Sequence, residues 1–284
     1  MPYALLTHRL AMLDMGILIF DSMEEHTLHF ENEKFDIIWL SGQSNAQGSG
    51  YGPVEEEILP NGVMYRMYGS GKYVNEDWVL PLPVEIGIEE SDSRKKYDFA
   101  MSFAREYVKN GLLAEGRKIL IVDTALGATG FVKGHWRPKD PACIRMHQML
   151  DAALAMNPEN RVVAMLWHQG ESDAARDVDE KTHYDNLTAL LQGVKAKVGT
   201  VPIVTGDFCA QWKEQNAEKC APVVRAIRRV MEDMGGVFVE TADLPSNEQD
   251  KTEEPDQIHF SRRSLEILGK RFFAAFEEIL KREK

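Results

Sequence analysis

The chain of 284 residues contains only three cysteines, Cys143, Cys209 and Cys220. Such an odd and sparse set is not the disulfide framework of a secreted domain, so we expect free thiols in a reducing compartment. None of the three lies in a glycine-rich turn after a strand, and we interpret them as small buried or half-buried residues. The sequence therefore predicts neither a disulfide nor a cysteine nucleophile.

Long apolar runs are also absent. The uninterrupted run from Met15 to Phe20 follows Asp14 and is too short for a secretory signal, and no later stretch approaches the length of a membrane span. We therefore predict a cytoplasmic protein that does not use a membrane as its partner.

Basic charge is in short supply, with 33 Lys and Arg residues against 45 Asp and Glu and a net charge of -12. Nucleic acids attract basic surfaces, so this balance argues against a nucleic-acid partner. The chain has no internal repeats and no low-complexity linker, which indicates one domain. Its composition, 44% hydrophobic and 27% charged, is that of an ordinary globular enzyme.

One stretch combines an apolar strand with a small polar turn. Ile37 to Leu40 reads as a buried parallel strand, and Gly42 and Gly48 bracket the polar residues that follow. The glycines let the backbone bend and present Ser44 at the carboxyl end of the strand, where open α/β sheets bind ligands. A serine needs a base to act as a nucleophile.

Three further polar stretches lie after predicted strands or beside the last helix. Asp256 and His259 are three residues apart, so one turn can bring the carboxylate to the imidazole. The other two are Thr124 to Phe131 and Leu166 to Asp173, each directly after an apolar strand. We expect all of these stretches to converge on one edge of a sheet.

Strands and helices alternate regularly after residue 98. We predict strands 118–122, 161–166, 202–207 and 237–241, and helices 99–110, 141–155, 180–198, 221–234 and 261–282. Such alternation implies right-handed crossovers and a mostly parallel sheet covered on both faces. Before it, residues 51–95 are expected to be loops that form a pocket wall, with one hairpin pairing 63–68 with 72–74.

The four polar stretches together resemble the SGNH hydrolase superfamily, in particular its branch of sialate O-acetylesterases and acetyl xylan esterases, carbohydrate esterase family six. The blocks that carry the resemblance are Gly42-Gln-Ser-Asn45, Gly127-Ala-Thr129, His168-Gln-Gly-Glu-Ser-Asp173 and Asp256-x-x-His259. The resemblance implies a three-layer α/β/α sandwich with a flavodoxin-like sheet. It covers a single esterase domain at 34–284, with 1–33 as an N-terminal extension.

The resemblance also implies a function: removal of O-acetyl groups from a small carbohydrate, such as an acetylated xylo-oligosaccharide or sialic acid, without metal or cofactor. Ser44 would be the nucleophile, His259 the base and Asp256 its orienting acid, with Glu171 as a rival acid or supporting residue. The oxyanion would be bound by the N–H groups of Ser44 and Gly127 and by the amide of Gln169.

Two positions differ from related patterns. Ala128 replaces the second of two adjacent glycines, which fits only if residue 128 needs no positive φ. The wider superfamily has asparagine at the position of Gln169, whereas this branch has glutamine, as this chain does. The glutamine amide can still donate a hydrogen bond, but from a longer side chain.

Two other functions remain open at this point. The first is a metal-dependent hydrolase, whose ligands would be His168, Glu171, Asp256 and His259. The second is a non-catalytic carbohydrate-binding protein of the same fold, whose stacking platforms would be Trp136, Trp167 and Trp212. We interpret these tryptophans themselves as core or pocket-wall residues. The oligomeric state does not follow from the sequence.

Overall fold

The computed structural model describes residues 18–21, 30–53, 59–75, 77–81, 84–91 and 97–282. Its strands are β1 (Leu18–Asp21), β2 (Lys34–Gly42), β3 (Met64–Gly69), β4 (Lys72–Val74), β5 (Asp77–Val79), β6 (Glu85–Glu90), β7 (Arg117–Asp123), β8 (Arg161–His168), β9 (Ile203–Gly206) and β10 (Val237–Val239). Its α-helices are α1 (Ser44–Gln47), α2 (Phe99–Lys109), α3 (Pro141–Ala155), α4 (Glu171–Ala174), α5 (Glu180–Val198), α6 (Ala210–Gln215), α7 (Ala217–Met234) and α8 (Arg262–Arg282).

Eight of these strands form one sheet in the order β1-β6-β3-β7-β2-β8-β9-β10. The neighbours β3 and β6 are antiparallel, and every other neighbouring pair is parallel. The mostly parallel sheet is therefore confirmed. From β7 to β10 the strand order is flavodoxin-like, and it reverses at β2, the kind of position where open α/β sheets bind ligands.

Side chains on β2 alternate between two apolar layers, because successive residues of a strand face opposite sides of the sheet. Ile37 and Trp39 pack with α3, α5 and α7, whereas Ile38 and Leu40 pack with α2 and α8. All four are fully buried. The three-layer α/β/α sandwich is confirmed, with β2 at its centre.

An aromatic seam joins α2 to α8. The ring centroids of Phe99 and Phe272 are 4.8 Å apart, and Phe103 lies 5.7 Å from Phe273 and 5.4 Å from Phe276. Aromatic pairs at these separations stabilise beyond the area that they bury. The seam fixes α8, which begins three residues after His259, against the body of the sheet.

The hairpin predicted between 63–68 and 72–74 is wrong. The strand β3 lies inside the main sheet between β7 and β6, and β4 pairs instead with β5 in a separate two-stranded sheet. One neighbour of β3, the strand β7, is distant in the sequence, and the other, β6, follows only after β4 and β5. Local turn signals therefore identify neither neighbour. Parts of the predicted loop region, 54–58, 76, 82–83 and 92–95, lie outside the described residues.

Only a part of the proposed extension 1–33 belongs to the described residues. Within it, β1 pairs in parallel with β6 at one edge of the main sheet. A short 3-10 turn, Phe30–Asn32, leads into β2. Residues 1–17 and 22–29 lie outside the described residues.

The three cysteines are free and buried, as predicted. Burial raises the pKa of Cys143 to about 11 and those of Cys209 and Cys220 to about 12. Thiols with such pKa values carry almost no thiolate at neutral pH and are poor nucleophiles. Across the part of the chain that the structure describes, no helix has the length and apolar character needed to cross a bilayer.

A buried carboxylate sits at the start of the central strand. Asp36 is fully buried on β2 and accepts hydrogen bonds from Arg117 (2.7 Å), Arg161 (2.7 Å) and the hydroxyl of Tyr107 (2.8 Å). Burial raises the pKa of Asp36, but these hydrogen bonds outweigh it, so the pKa lies below the usual 3.8. The charged network therefore stabilises the folded chain while Asp36 is ionised.

Asp36→Asn is expected to lower the free energy of unfolding at neutral pH by about 3–5 kcal/mol, because it leaves buried donors without their charged partner. Since the folded pKa is depressed, the difference from wild type is present above pH 3.8 and shrinks as the pH falls below that value. Urea unfolding at about pH 7 and about pH 3 measures both effects.

The matched control is Asp151→Asn, which removes an exposed ion pair with Lys197. Exposed pairs contribute about 0–1 kcal/mol, so this variant should unfold close to wild type at both pH values. Equal effects of the two substitutions would contradict a stabilising role for the Asp36 network.

Candidate active site

The turn after β2 is built by backbone geometry that requires glycine. Gly42 has φ of 128°, and a Cβ there would lie 2.0 Å from the carbonyl oxygen of His168. The next N–H, that of Gln43, donates to the same oxygen at 2.8 Å. The chain then enters α1, so Ser44 stands at the first position of a helix directly beyond the carboxyl end of the central strand.

Ser44, His259 and Asp256 form a chain of polar contacts. His259 Nε2 lies 2.8 Å from Ser44 Oγ, and His259 Nδ1 lies 3.1 Å from Asp256 Oδ1. The carboxylate can only accept, so Nδ1 carries the hydrogen; in a neutral imidazole Nε2 then accepts from the serine hydroxyl. The His259 and Asp256 side chains are 24% and 32% exposed, so a substrate can approach them from solvent.

Asp256 is held in its charged form. Burial raises the pKa of its carboxyl group, but hydrogen bonds from the His259 ring, from Asn247 and from the His259 N–H outweigh that effect and bring the pKa below its usual value. The backbone N–H groups of Ile258 and His259 both donate to Oδ1, at 3.0 and 2.7 Å. The carboxylate is therefore ionised at neutral pH and fixed toward the imidazole.

Glu171, the rival acid, has other partners. Its Oε1 accepts from Asn45 Nδ2 at 2.9 Å and lies 3.6 Å from His168 Nδ1. The residue is 1% exposed. Of the two acids, it is Asp256 whose carboxylate lies at hydrogen-bond distance from the His259 ring.

The glycine block lies beside the nucleophile. A Cβ placed on Gly127 would be 3.7 Å from Ser44 Cβ, which measures how closely the two residues approach. The N–H of Gly127 donates to Gln47 Oε1 at 2.9 Å, and its carbonyl accepts from Trp78 Nε1 at 2.7 Å. The predicted oxyanion donor is thus near Ser44 and hydrogen-bonded to a side chain of α1.

The condition stated for Ala128 is not met, because this residue has φ of 58°. A left-handed conformation costs a non-glycine residue roughly 1–2 kcal/mol. The Lys133 ammonium donates to the Ala128 carbonyl at 2.9 Å. Ala128 therefore adopts a left-handed conformation that is strained for a residue with a side chain.

Gln169 links the third block to the glycine block. Its Nε2 donates to Asp173 Oδ2 at 2.8 Å and has longer contacts to Gln43 Oε1 (3.4 Å) and the Thr129 carbonyl (3.5 Å). A carboxamide nitrogen carries two hydrogens, so only one of them is used by the short bond to Asp173. The amide is 1% exposed and lies against Gln43, the neighbour of Ser44.

The predicted metal ligands do not converge. They are His168, Glu171, Asp256 and His259. The His168 ring is fully buried, its Nε2 lies 2.9 Å from the Asp207 carbonyl, and it packs against Phe99, Phe208 and Phe260. In the described ranges, no three His, Cys, Asp or Glu residues are grouped so that they could hold a metal ion.

Of the three tryptophans considered as stacking platforms, two lie in the core and Trp212 is partly exposed. Trp136 and Trp167 are fully buried and pack edge to face against each other, and Trp212 packs on Phe208. The tryptophan beside the candidate site is Trp78 of β5, bound to the Gly127 carbonyl. Sequence reasoning missed Trp78 because its position depends on the pairing of β4 with β5.

The fold and this cluster agree with the resemblance to SGNH-type hydrolases. A family model described as carbohydrate esterase, sialic acid-specific acetylesterase, matches residues 34–278. The chain belongs to that family and is a carbohydrate O-acetylesterase.

Solved structures support the same fold. NanS is 17% identical, with a TM-score of 0.69 over 89% of this chain and 99% of its own. A carbohydrate acetylesterase from Xanthomonas citri is 16% identical, with a TM-score of 0.57 over 86% of this chain and 56% of its own. An acetyl xylan esterase from Geobacillus stearothermophilus is 14% identical, with a TM-score of 0.51 over 87% of this chain and 96% of its own. No curated protein matches the chain by sequence.

Proposed function

We propose that this esterase acts by a Ser-His-Asp mechanism on O-acetyl groups of a small sugar, with sialic acid as the first candidate. The observation that carries the mechanism is the continuous chain of contacts from Ser44 through His259 to Asp256, at 2.8 and 3.1 Å. A nucleophile bonded to a base, and a base bonded to an orienting acid, is the arrangement that activates a serine.

In the first half of the reaction, Ser44 Oγ attacks the acetyl carbonyl and His259 Nε2 takes the hydroxyl proton. The tetrahedral intermediate collapses when His259 returns that proton to the sugar oxygen, which leaves as an alcohol. The acetyl group is then an ester of Ser44. In the second half, His259 takes a proton from a water that attacks the acetyl-serine, and it returns this proton to Ser44 Oγ as the ester bond breaks. Acetic acid leaves and ionises to acetate, and Ser44 is free again.

We assign the oxyanion to the N–H groups of Ser44 and Gly127 and to the Gln169 amide. Losing one such donor typically costs about 3 kcal/mol of transition-state stabilisation. Because the Gly127 N–H donates to Gln47 Oε1 in the free protein, the Gln47 side chain has to release it when substrate binds. Glu171 supports the site through Asn45.

The substrate proposal rests on the family description, which is specific for sialic acid. NanS and the acetyl xylan esterase are both structural neighbours, so acetylated xylo-oligosaccharides are the second candidate. A cytoplasmic site of action, expected from the sequence, favours imported small sugars over a polymer. We also propose that residues 34–284 form one esterase domain and 1–33 an extension of it, and that no nucleic acid or membrane takes part.

A substrate panel tests this proposal. Acetate release is measured from O-acetylated sialic acid, acetylated xylobiose, acetylated xylan and an aryl acetate, with a butyryl aryl ester as the acyl control. We expect the highest kcat/KM on an acetylated small sugar, and on sialic acid before xylobiose. Turnover confined to the acetylated polymer would contradict the proposed substrate class, whereas equal turnover of butyryl and acetyl esters would contradict acetyl selectivity.

A further inference from the structure

Two buried asparagines connect the nucleophile turn to the segment that carries His259. Asn45 and Asn247 are both fully buried. Asn45 Nδ2 donates to the Ile258 carbonyl at 3.1 Å, and Asn45 Oδ1 accepts from the Phe260 N–H at 3.1 Å. One carboxamide thus holds the backbone on both sides of His259, from the residue next to Ser44.

Asn247 makes the reciprocal connection. Its Nδ2 donates to Asp256 Oδ2 at 2.8 Å and to the Ser49 carbonyl at 3.0 Å, and its Oδ1 accepts from the Tyr51 N–H at 3.0 Å. The same amide therefore holds the carboxylate of Asp256 and the backbone just beyond α1. Both hydrogens and the oxygen of Asn247 are used.

The segment needs such bonds because regular structure does not fix it. Between β10 and α8 there is no helix or strand, and one isolated bridge joins Ser246 to Phe260. Reaction rates fall steeply when a catalytic group moves by about 1 Å. A carboxamide supplies a donor and an acceptor on one short planar arm, which neither an aspartate nor an apolar side chain can do.

We propose that Asn45 and Asn247 are positioning residues that hold His259 and Asp256 at reacting distance from Ser44; this inference rests on the proposed Ser-His-Asp mechanism. Glu171 orients Asn45 by accepting one of its hydrogen bonds. One hydrogen of Asn45 Nδ2 goes to Glu171 Oε1 at 2.9 Å and the other to Ile258, which fixes which end of the amide faces each partner. Neither asparagine contacts the substrate in this scheme.

The test compares Asn45→Asp, Asn247→Asp and the smaller Asn45→Ser and Asn247→Ser with wild type on an aryl acetate. Active sites are counted by titration with a fluorophosphonate, so that kcat refers to folded, competent enzyme only. We expect kcat per titrated site to fall about 10- to 100-fold with KM within about threefold. Asn110→Asp, an exposed asparagine at the end of α2, is the matched control and should equal wild type.

The pH profile separates positioning from a merely structural role. Asn247→Asp puts a second carboxyl group where an amide now lies 2.8 Å from Asp256. Two carboxylates this close repel each other, which raises the pKa of one of them. The acid limb of kcat/KM should therefore move to higher pH. The acid limb of the kcat/KM profile of Asn247→Ser should coincide with that of wild type, because serine adds no charge.

Variants that keep wild-type kcat per titrated site and lose only thermal stability would overturn the inference. Ser44→Ala is included to separate it from the proposed function. If that variant still hydrolyses the ester, and wild type does not react with the fluorophosphonate, the Ser-His-Asp mechanism itself fails. If wild type is labelled and Ser44→Ala is inactive while the asparagine variants are fully active per site, only the positioning inference fails.

Discussion

Ser44→Ala is expected to lower kcat for an aryl acetate by about 10⁴- to 10⁶-fold, the largest effect of any single substitution in this chain. The hydroxyl 2.8 Å from His259 Nε2 is the atom that would form the acetyl ester, and alanine offers no other nucleophile at that position. The remaining rate would come from a water held against the oxyanion donors. Stopped-flow or discontinuous assays of acetate release measure the difference.

The matched control is Ser172→Ala, a half-buried serine of the third block that lies in α4. It should retain kcat and KM within about threefold, because no step of the mechanism uses its hydroxyl. Mass spectrometry of wild type after a short reaction should show one acetyl group on the peptide that contains Ser44. Full activity of Ser44→Ala would show that another group carries out the reaction and would contradict the serine mechanism.

Asp256→Asn is expected to lower kcat by about 10³- to 10⁴-fold, with little change in volume. The backbone N–H groups of Ile258 and His259 both donate to the oxygen that faces His259 Nδ1, so the amide oxygen is favoured at that position. His259 then keeps an acceptor but loses the negative charge that stabilises its protonated form, which makes it a weaker base for the Ser44 proton. The loss should fall on kcat far more than on KM, and pre-steady-state assays can assign it to acylation.

Glu171→Gln provides the comparison for the other acid. Glu171 bonds to Asn45 and not to His259, so its replacement should cost at least about tenfold less than that of Asp256. Asp185→Asn, an exposed aspartate of α5, is the control for the loss of a carboxylate and should match wild type. If Glu171→Gln proved the more damaging change, Glu171 rather than Asp256 would orient the base.

Much of the sheet was predictable because its strands are apolar and buried on both faces. Val162 to Leu166 and Ile119 to Val122 form continuous apolar runs, and such runs identify central parallel strands without knowledge of their neighbours. The structure extends both strands, to Arg161–His168 and Arg117–Asp123. Polar residues at the strand ends, including His168 and Asp123, are still paired in the ladder and carry no apolar signal.

The strands β3 and β6 show the limit of that reasoning. The sequence of β6, Glu85 to Glu90, is half acidic, and β3 contains the buried Arg66. Arg66 is tolerated because it pairs with Asp98 and Asp123, two residues from other parts of the chain. The strand β3 was predicted at 63–68, but its partners β6 and β7 were not, because β6 shows no strand pattern and β7 is distant in the sequence. This explains the wrong hairpin.

Some residues of the candidate site were also predictable from the sequence, and others were placed only by the fold. Ser44, Asp256 and His259 were predicted together because each belongs to a short motif with its own chemistry. Asn247 has no such motif, since its partners at Ser49 and Asp256 meet it only through the fold. Which tryptophans lie in the core could not be told from the sequence, because ring exposure is a property of packing: Trp167 directly precedes the third block and lies in the core.

The order of the site along the chain governs when an active molecule can exist. Ser44 and His259 are separated by 215 residues, and α8, which follows His259, is seated through the seam with α2. During synthesis the nucleophile leaves the ribosome long before its base. Under the proposed mechanism, a nascent chain carries an unactivated serine, and deacetylation begins only once the last helix has docked, so that catalytic activity reports completed folding of the polypeptide.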